Sequence, residues 1–150
     1  MRTFLLMTAT LVLGTAVVAR SATPADVIEA RQTSLKAMGK AMKSSAESFK
    51  SGSPDAVLIR ANAQVIAGNA DKLATWFPAG TGAGGPTKTG AKAEIWTDPA
   101  GFAKAAGDFS AAAKAFGAAA QGNDLAATGA ALATLGGTCK ACHEKYREKD

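Results

Sequence analysis

The chain has 150 residues, of which 47% are hydrophobic and 19% are charged, and its formal net charge is +5. This length provides for one domain with its own core. The charges are scattered without a basic block, which excludes a nucleic-acid footprint. A solvated surface accounts for them, and a mildly basic face that attracts an acidic partner protein is the alternative.

Residues 1–22 have the pattern of a signal peptide. Arg2 precedes an apolar run of 16 residues that ends at Ala19, which is too short to span a membrane, and small residues follow it. Cleavage after Ala19 or at a later position up to Ala22 fits this pattern, and an uncleaved anchor is the alternative. Cleavage would leave one domain, residues 23–150, outside the cytoplasm and without a membrane anchor.

Four capping signals predict four helices in the mature chain. Each is a polar residue that can cap a helix, in most cases with a proline beside it: Thr23-Pro24, Ser53-Pro54-Asp55, Asp98-Pro99 and Asn123-Asp124. A long segment rich in Gly and Thr, residues 78–93, connects the second helix to the third, whereas the other joints are short. No strand pattern is present, so we predict an all-α fold, an antiparallel four-helix bundle with one crossover.

Apolar residues recur every three, four or seven positions in each predicted helix, which indicates one buried face per helix. They are Ile28, Leu35, Met38, Met42 and Phe49 in the first; Leu58, Val65, Leu73 and Trp76 in the second; Phe102, Phe109 and Phe116 in the third; and Leu125, Thr128, Leu132, Leu135, Cys139, Cys142 and Tyr146 in the fourth. Both cysteines therefore lie on the predicted core face of the last helix.

The last predicted helix also contains the sequence Cys139-Lys140-Ala141-Cys142-His143, which is the C-x-x-C-H attachment signal of a c-type haem. The two thiols can form thioethers with the haem vinyl groups, and His143, the only histidine, can bind the iron as proximal ligand. Because residues three and four apart share a helix face, we expect one covalent haem c inside the bundle. Together with the signal peptide, this motif indicates a bacterial periplasm, where a free thiol pair would be oxidised.

Other uses of Cys139 and Cys142 fit the sequence less well. A zinc site needs about four ligands, whereas the chain offers two cysteines and one histidine. A thiol oxidoreductase of the thioredoxin type needs a strand before the motif. A disulfide between cysteines three apart on a regular helix has poor geometry. Haem attachment is therefore the preferred interpretation.

The sixth iron position has two candidate neighbours on the first helix. With one histidine, ligation by two histidines is excluded. Met38 as a ligand would give a low-spin electron carrier, whereas Leu35 above the iron would leave it five-coordinate and able to bind small gases. Both residues can also be ordinary core residues.

Two arginines can be interpreted in two ways. Arg31, one turn before Leu35, can pair with a haem propionate or lie on an exposed stripe. Arg147, four residues after His143, can contact the proximal imidazole or interact with the helix dipole.

Four segments together resemble one family, the cytochromes c′ of bacterial periplasms. They are Arg31–Met38, Trp76–Pro78, Ala93–Asp98 and Cys139–His143 with Tyr146-Arg147, and the resemblance extends in order over essentially the whole mature chain. The resemblance implies a left-handed four-helix bundle, often a homodimer through the first two helices. It also implies a high-spin, five-coordinate iron with a crowded distal side.

The resemblance further implies particular haem contacts. Arg31 and Gln32 match residues that touch the haem, Glu94 lies in a segment that approaches it, and Arg147 matches an arginine beside the proximal histidine. Leu35 occupies the distal position, where leucine cannot ligate. We therefore expect a periplasmic haem protein, not an enzyme, that binds nitric oxide or carbon monoxide and can carry one electron to or from a redox partner. The alternative is a six-coordinate electron carrier with Met38 on the iron.

Overall fold

The computed structural model describes residues 21–85 and 87–149, and the signal-peptide prediction for residues 1–20 lies outside this range. Its elements are five α-helices and one 3₁₀ helix: α1 Pro24–Lys50, α2 Ala56–Ala70, the 3₁₀ helix Leu73–Trp76, α3 Glu94–Thr97, α4 Pro99–Gln121 and α5 Leu125–Tyr146. Among the described residues there is no strand, and only one isolated β-bridge. The all-α prediction is confirmed.

Side-chain caps start the four long helices; at α2 the cap is Asp55, two residues after the predicted cap Ser53. Thr23 and Asp26 form a reciprocal capping box at α1, in which each side chain accepts from the other residue's backbone N–H. The carboxylates of Asp55, Asp98 and Asp124 accept backbone N–H groups at the starts of α2, α4 and α5. These caps satisfy N–H groups that have no partner inside the helix.

The four long helices pack in chain order as an antiparallel bundle. Helix α1 lies along α2, α2 along α4 and α4 along α5, while α1 and α5 meet over a shorter stretch. Phe102, Phe109 and Phe116 are all buried, which confirms the seven-residue spacing of the third predicted helix. Leu132 and Leu135 of α5 are buried as well.

The predicted core face of α2 is wrong. Leu58 is 38% exposed and Val65 is 41% exposed, whereas their neighbours Ile59 and Ile66 are buried. Both pairs have the same seven-residue spacing, so periodicity could not distinguish them. The buried face is completed by alanines, and small side chains on that face let α2 lie close to α4: a Cβ atom on Gly117 would lie 3.2 Å from that of Ala67.

Helix α2 also ends earlier than the apolar pattern suggested. It stops at Ala70, so Leu73 and Trp76 lie in the 3₁₀ helix that follows. After it comes the predicted crossover, here residues 77–93, which has no helix in its described part. This crossover segment is also fixed to the end of α5, because Glu148 N donates to Gly90 O at 2.8 Å and Lys92 N donates to Tyr146 O at 3.1 Å.

Candidate functional site

The last turns of α5 contain all three residues of the predicted haem motif. Cys139 and Cys142 are free thiols and partly buried. His143 lies more exposed on the same turn, because the next residue along an α-helix is rotated by about 100°. We expected both sulfurs and the imidazole to face the core. The two sulfurs are only partly buried, and the imidazole is exposed.

The two thiols lie against different apolar clusters. Cys139 packs on the main cluster of the bundle, which includes Met38 and Leu135. Cys142 packs on a second cluster of Phe102, Tyr146, Ile95 and Ala91 near the end of the bundle. The thiol pair thus lies where the two clusters meet.

Phe77, the first residue of the crossover segment, packs on both clusters. Its ring centroid is 5.0 Å from that of Phe102, in an edge-to-face arrangement. A thiol pair between two apolar clusters, with an imidazole beside it at the surface, fits a flat apolar macrocycle whose polar edge reaches water. The residues present are therefore compatible with covalent haem.

Two glycines of α5 show how this helix lies against α1. A Cβ atom on Gly129 would be 3.4 Å from the ring of Phe49, and one on Gly136 would be 3.8 Å from Cε of Met42. From the first contact to the second, the residue number rises by seven on α5, from 129 to 136, and falls by seven on α1, from 49 to 42. This is the register of two antiparallel helices.

One more step of the same length brings two candidate ligand-site residues to one level. Seven residues earlier on α1 is Leu35, and seven residues later on α5 is His143. The step is about 10 Å along each helix axis. Leu35 is partly buried against the main cluster. If the register continues by this step, a hydrocarbon side chain of α1 and the imidazole of α5 lie at the same height along the bundle axis.

Burial tunes the protonation of all three motif residues. It raises the pKa of the Cys139 thiol. Burial, followed by the charge of the nearby Cys139, raises the pKa of the Cys142 thiol. Burial, with a smaller effect of the Arg147 charge, lowers the pKa of His143. This shift favours the neutral imidazole, which is the form that binds iron.

Arg31 and Gln32 contact the crossover segment. The Arg31 guanidinium is buried and donates to the carbonyl and the hydroxyl of Thr81 and to the hydroxyl of Thr89. Gln32 Nε2 donates to Lys88 O at 2.8 Å. The alternative in which Arg31 lies on an exposed stripe is wrong, since 2% of the residue is accessible.

Glu94 and Arg147 lie at the other side of the site. Glu94 is the first residue of α3 and is exposed. Arg147 directly follows α5, donates its backbone N–H to His143 O at 3.1 Å and forms the isolated bridge with Ala91. Arg147 lies close enough to His143 for its charge to lower the pKa of the imidazole.

One cluster beside the motif was missed in the sequence. The carboxylate of Asp98, the cap of α4, accepts from Lys145 Nζ at 2.6 Å and from the Tyr146 hydroxyl at 3.2 Å. The signals were present separately, because Asp98 was recognised as a cap and Tyr146 as a core-face residue. What the sequence lacks is any sign that these two positions, 48 residues apart, meet.

The described part of the chain contains no group of three or more His, Cys, Asp or Glu side chains that could hold a metal ion. It also contains no helix with the length and hydropathy needed to cross a membrane. A four-helix bundle with C-x-x-C-H in its last helix, and no other ligand cluster in the described residues, has the characteristics of a c-type haem protein.

Comparison with known proteins supports this class. The sequence profile described as cytochrome c′ matches residues 26–147. A cytochrome c′ of Rhodospirillum rubrum is 37% identical over 147 residues, which are 98% of this chain and 99% of that protein. A cytochrome c′ of Pararhodospirillum photometricum is 41% identical over 127 residues, 85% of this chain and all of the relative. The chain belongs to the cytochrome c′ family.

Solved structures agree in fold. The crystal structure of cytochrome c′ from Thermochromatium tepidum has a TM-score of 0.81 and 33% identity, covering 85% of this chain and 98% of that one. The cytochrome c′ of Alcaligenes xylosoxidans, at TM-score 0.76 and 32% identity over 87% of this chain and all of that one, has been solved with bound nitric oxide and, as another variant, with bound carbon monoxide. Proteins of this family bind one covalent haem c, in agreement with the two cysteines of this chain.

Proposed function

We propose that this protein is a periplasmic cytochrome that binds nitric oxide and carbon monoxide at a five-coordinate haem iron and can carry one electron. Cys139 and Cys142 are its thioether anchors and His143 is its proximal ligand. The observation that carries the proposal is the antiparallel contact of α5 with α1 at Gly129–Phe49 and Gly136–Met42, from which one further step of seven residues leads to His143 and Leu35. The bound haem supplies the iron that coordinates the gas and exchanges the electron.

The proximal side follows from the protonation of His143. Partial burial lowers the pKa of His143 and so favours the neutral imidazole, whose lone pair is available to a metal without loss of a proton. The nearby Arg147 adds positive charge and further disfavours the imidazolium. We propose that Arg147 tunes the proximal ligand in this way.

The distal side follows from the chemistry of Leu35. A hydrocarbon side chain can neither bind iron nor donate a hydrogen bond. Bound dioxygen gains from a distal donor, because it carries partial negative charge, whereas nitric oxide and carbon monoxide depend on one much less. Leu35 should therefore favour these two gases over oxygen.

The remaining haem contacts are proposals at the edge of the site. Gln32 is partly buried next to Arg31, and Glu94 starts the short helix whose next residue, Ile95, lies in the Cys142 cluster. We include them as candidate contacts, and no residue is assigned a catalytic role.

The first experiment is the mass and the optical spectrum of the secreted protein. Covalent haem raises the mass under denaturing conditions, and a Cys139→Ser, Cys142→Ser double variant should lack the increment. A high-spin ferric spectrum and binding of carbon monoxide to the reduced protein are expected. A low-spin ferric spectrum with a thioether–iron charge-transfer band, lost in Met38→Leu, would instead establish the six-coordinate alternative.

The second experiment tests the distal role of Leu35. Leu35→Ala should raise the affinity for carbon monoxide, since it opens the distal side. Leu132→Ala removes the same atoms from a buried position in the core and serves as control. An unchanged ligand profile in Leu35→Ala would contradict the assignment.

We also propose that two copies associate through α1 and α2. Helix α2 exposes three apolar side chains, and Val57, 75% accessible, is the most exposed of them. A relative with TM-score 0.81 shows dimer dissociation controlled by ligand. Sedimentation velocity should show a dimer that Val57→Lys weakens, while Leu125→Lys, at an exposed position of α5, leaves it unchanged.

A further inference from the structure

The environment of the Arg31 side chain suggests a role that family resemblance does not assign to it. This cation is 2% exposed, and no carboxylate among the described residues lies within ion-pair distance of it. Burying a charge is costly unless its N–H groups are hydrogen-bonded. Its guanidinium accordingly makes four hydrogen bonds, all to uncharged oxygens.

These four bonds all lead to the crossover segment or to the residue before it. The NH2 group donates to Thr81 O at 2.7 Å and to Thr89 Oγ1 at 2.8 Å. The NH1 group donates to Thr81 Oγ1 at 2.9 Å and to Trp76 O at 3.4 Å. One side chain of α1 therefore holds both limbs of the crossover, the first at Thr81 and the second at Thr89.

Thr81 links Arg31 to the turn that opens the crossover. It is 1% exposed, and its hydroxyl accepts from Arg31 while donating to Pro78 O at 2.8 Å. The next residue of α1 adds a second attachment, because Gln32 Nε2 donates to Lys88 O. The crossover is thus attached to α1 at positions on both of its limbs.

The guanidinium also fixes an aromatic ring beside the thiol pair. Its central carbon lies 4.5 Å from the centroid of the Phe77 ring, a cation–π contact. Phe77 packs on the main cluster and on the Cys142 cluster. Leu35 follows Arg31 by one helical turn, which places the two side chains on the same face of α1.

We propose that Arg31 is a positioning residue that holds the crossover segment on α1 and thereby narrows the approach of small ligands to the Leu35 side. This inference rests on the proposed function, since it assumes that a gas binds at that side. Pairing of Arg31 with a haem propionate is the competing role. It would require the guanidinium to give up some of its four bonds, because NH1 and NH2 are already engaged.

The test uses the haem-loaded protein and three variants. Arg31→Lys keeps the positive charge but loses the planar guanidinium. Thr81→Val removes the hydroxyl that accepts from Arg31, whereas Thr81→Ser keeps a hydroxyl at that position. Arg60→Lys is the matched control, since the Arg60 guanidinium donates to Ala120 O on α4, remote from the crossover. Hydrogen exchange of the crossover amides and the rate of carbon monoxide binding after photolysis are measured.

We expect Arg31→Lys and Thr81→Val to speed exchange in the crossover about tenfold, which corresponds to about 1.4 kcal/mol of local opening. Both should also speed carbon monoxide binding, while Thr81→Ser and Arg60→Lys match the wild type. If Thr81→Val fails to fold, Thr89→Val removes another acceptor of Arg31 at a more accessible position.

Two results would overturn the positioning role. One is wild-type exchange in both Arg31→Lys and the threonine variant. The other is a shift of the haem reduction potential in Arg31→Lys alone with the crossover unchanged, which would establish propionate pairing. A wild type that binds no carbon monoxide would overturn the proposed function instead, and the exchange data would still decide whether Arg31 holds the crossover.

Discussion

The hydroxyl of Tyr146 donates a hydrogen bond to the carboxylate of Asp98, and this contact ties the end of α5 to the start of α4. The same carboxylate accepts the backbone N–H of Gly101 as the cap of α4 and pairs with Lys145. Tyr146 follows His143 by three residues. One acidic side chain therefore fixes the helix end that carries the candidate iron ligand.

Asp98→Asn should lower the free energy of unfolding at pH 7. The variant should then lose less stability than the wild type as the pH falls. The Lys145 ammonium, followed by the Gly101 N–H, lowers the pKa of Asp98 in the folded protein below its usual value. Its contribution is therefore present above the unfolded-state pKa and is lost as the pH falls through the lower folded-state value. Urea unfolding followed by circular dichroism at pH 7 and pH 3 measures both effects.

The control for this prediction is Asp108→Asn on the same helix. Asp108 pairs only with the exposed Lys104, and exposed pairs contribute little. The two variants should therefore differ clearly at pH 7. Equal stability of both would contradict a special role for Asp98.

Tyr146→Phe isolates the hydroxyl from the ring. The ring stays in its edge-to-face contact with Phe102, at 5.3 Å between centroids, so we expect a loss of about 1 kcal/mol, the contribution of one hydrogen bond. Tyr146→Ala should cost about 3–5 kcal/mol, because it also empties a buried aromatic position. In a double-mutant cycle the effects of Tyr146→Phe and Asp98→Asn should be less than additive. Strict additivity would show that the bond contributes nothing.

Gly101→Ala should destabilise the protein by about 1–3 kcal/mol, the usual cost of overpacking. Its Cβ atom would overlap the Asp98 carboxylate and lie 2.7 Å from the Tyr146 hydroxyl. Gly107→Ala, six residues further along α4, meets no atom within 4 Å and should stabilise the helix by up to about 1 kcal/mol. Thermal unfolding of the pair gives effects of opposite sign if this packing is correct.

The four helix starts could be predicted because capping is local. A polar side chain such as Asp98 bonds to N–H groups two or three residues away, so the signal and its effect lie in the same few residues. The seven-residue spacing of Phe102, Phe109 and Phe116 was reliable for a similar reason, since no competing apolar row accompanies it. The C-x-x-C-H motif could likewise be recognised from five consecutive residues.

Contacts between distant segments could not be predicted in this way. Arg31 is buried only because residues 76–89 provide oxygens around it, and no periodicity in α1 reveals that. The short helix α3 depends on the crossover being attached to the end of α5. On α2, two apolar rows with equal spacing compete, and packing against α4 decides between them.

The corrected face of α2 provides a direct test with two adjacent residues. Ile66 is fully buried in the main cluster, and Val65 beside it is 41% exposed. Ile66→Ala should lower the free energy of unfolding by about 2–5 kcal/mol, because it removes buried methyl groups and leaves a cavity. Val65→Ala should change it by less than about 0.5 kcal/mol. Denaturant unfolding of both variants at low protein concentration measures this difference without a contribution from association.

The same pair also separates folding from association. Val65 lies on the exposed apolar face of α2 that we propose for the dimer, whereas Ile66 faces α4 and the core. Val65→Ala should therefore weaken the dimer in sedimentation velocity while leaving monomer stability unchanged. Ile66→Ala should lower monomer stability while leaving dimerisation of the folded variant unchanged. If Val65→Ala lowered monomer stability as much as Ile66→Ala, Val65 would belong to a core face of α2, and the assignment of Ile66 rather than Val65 to the core would be wrong.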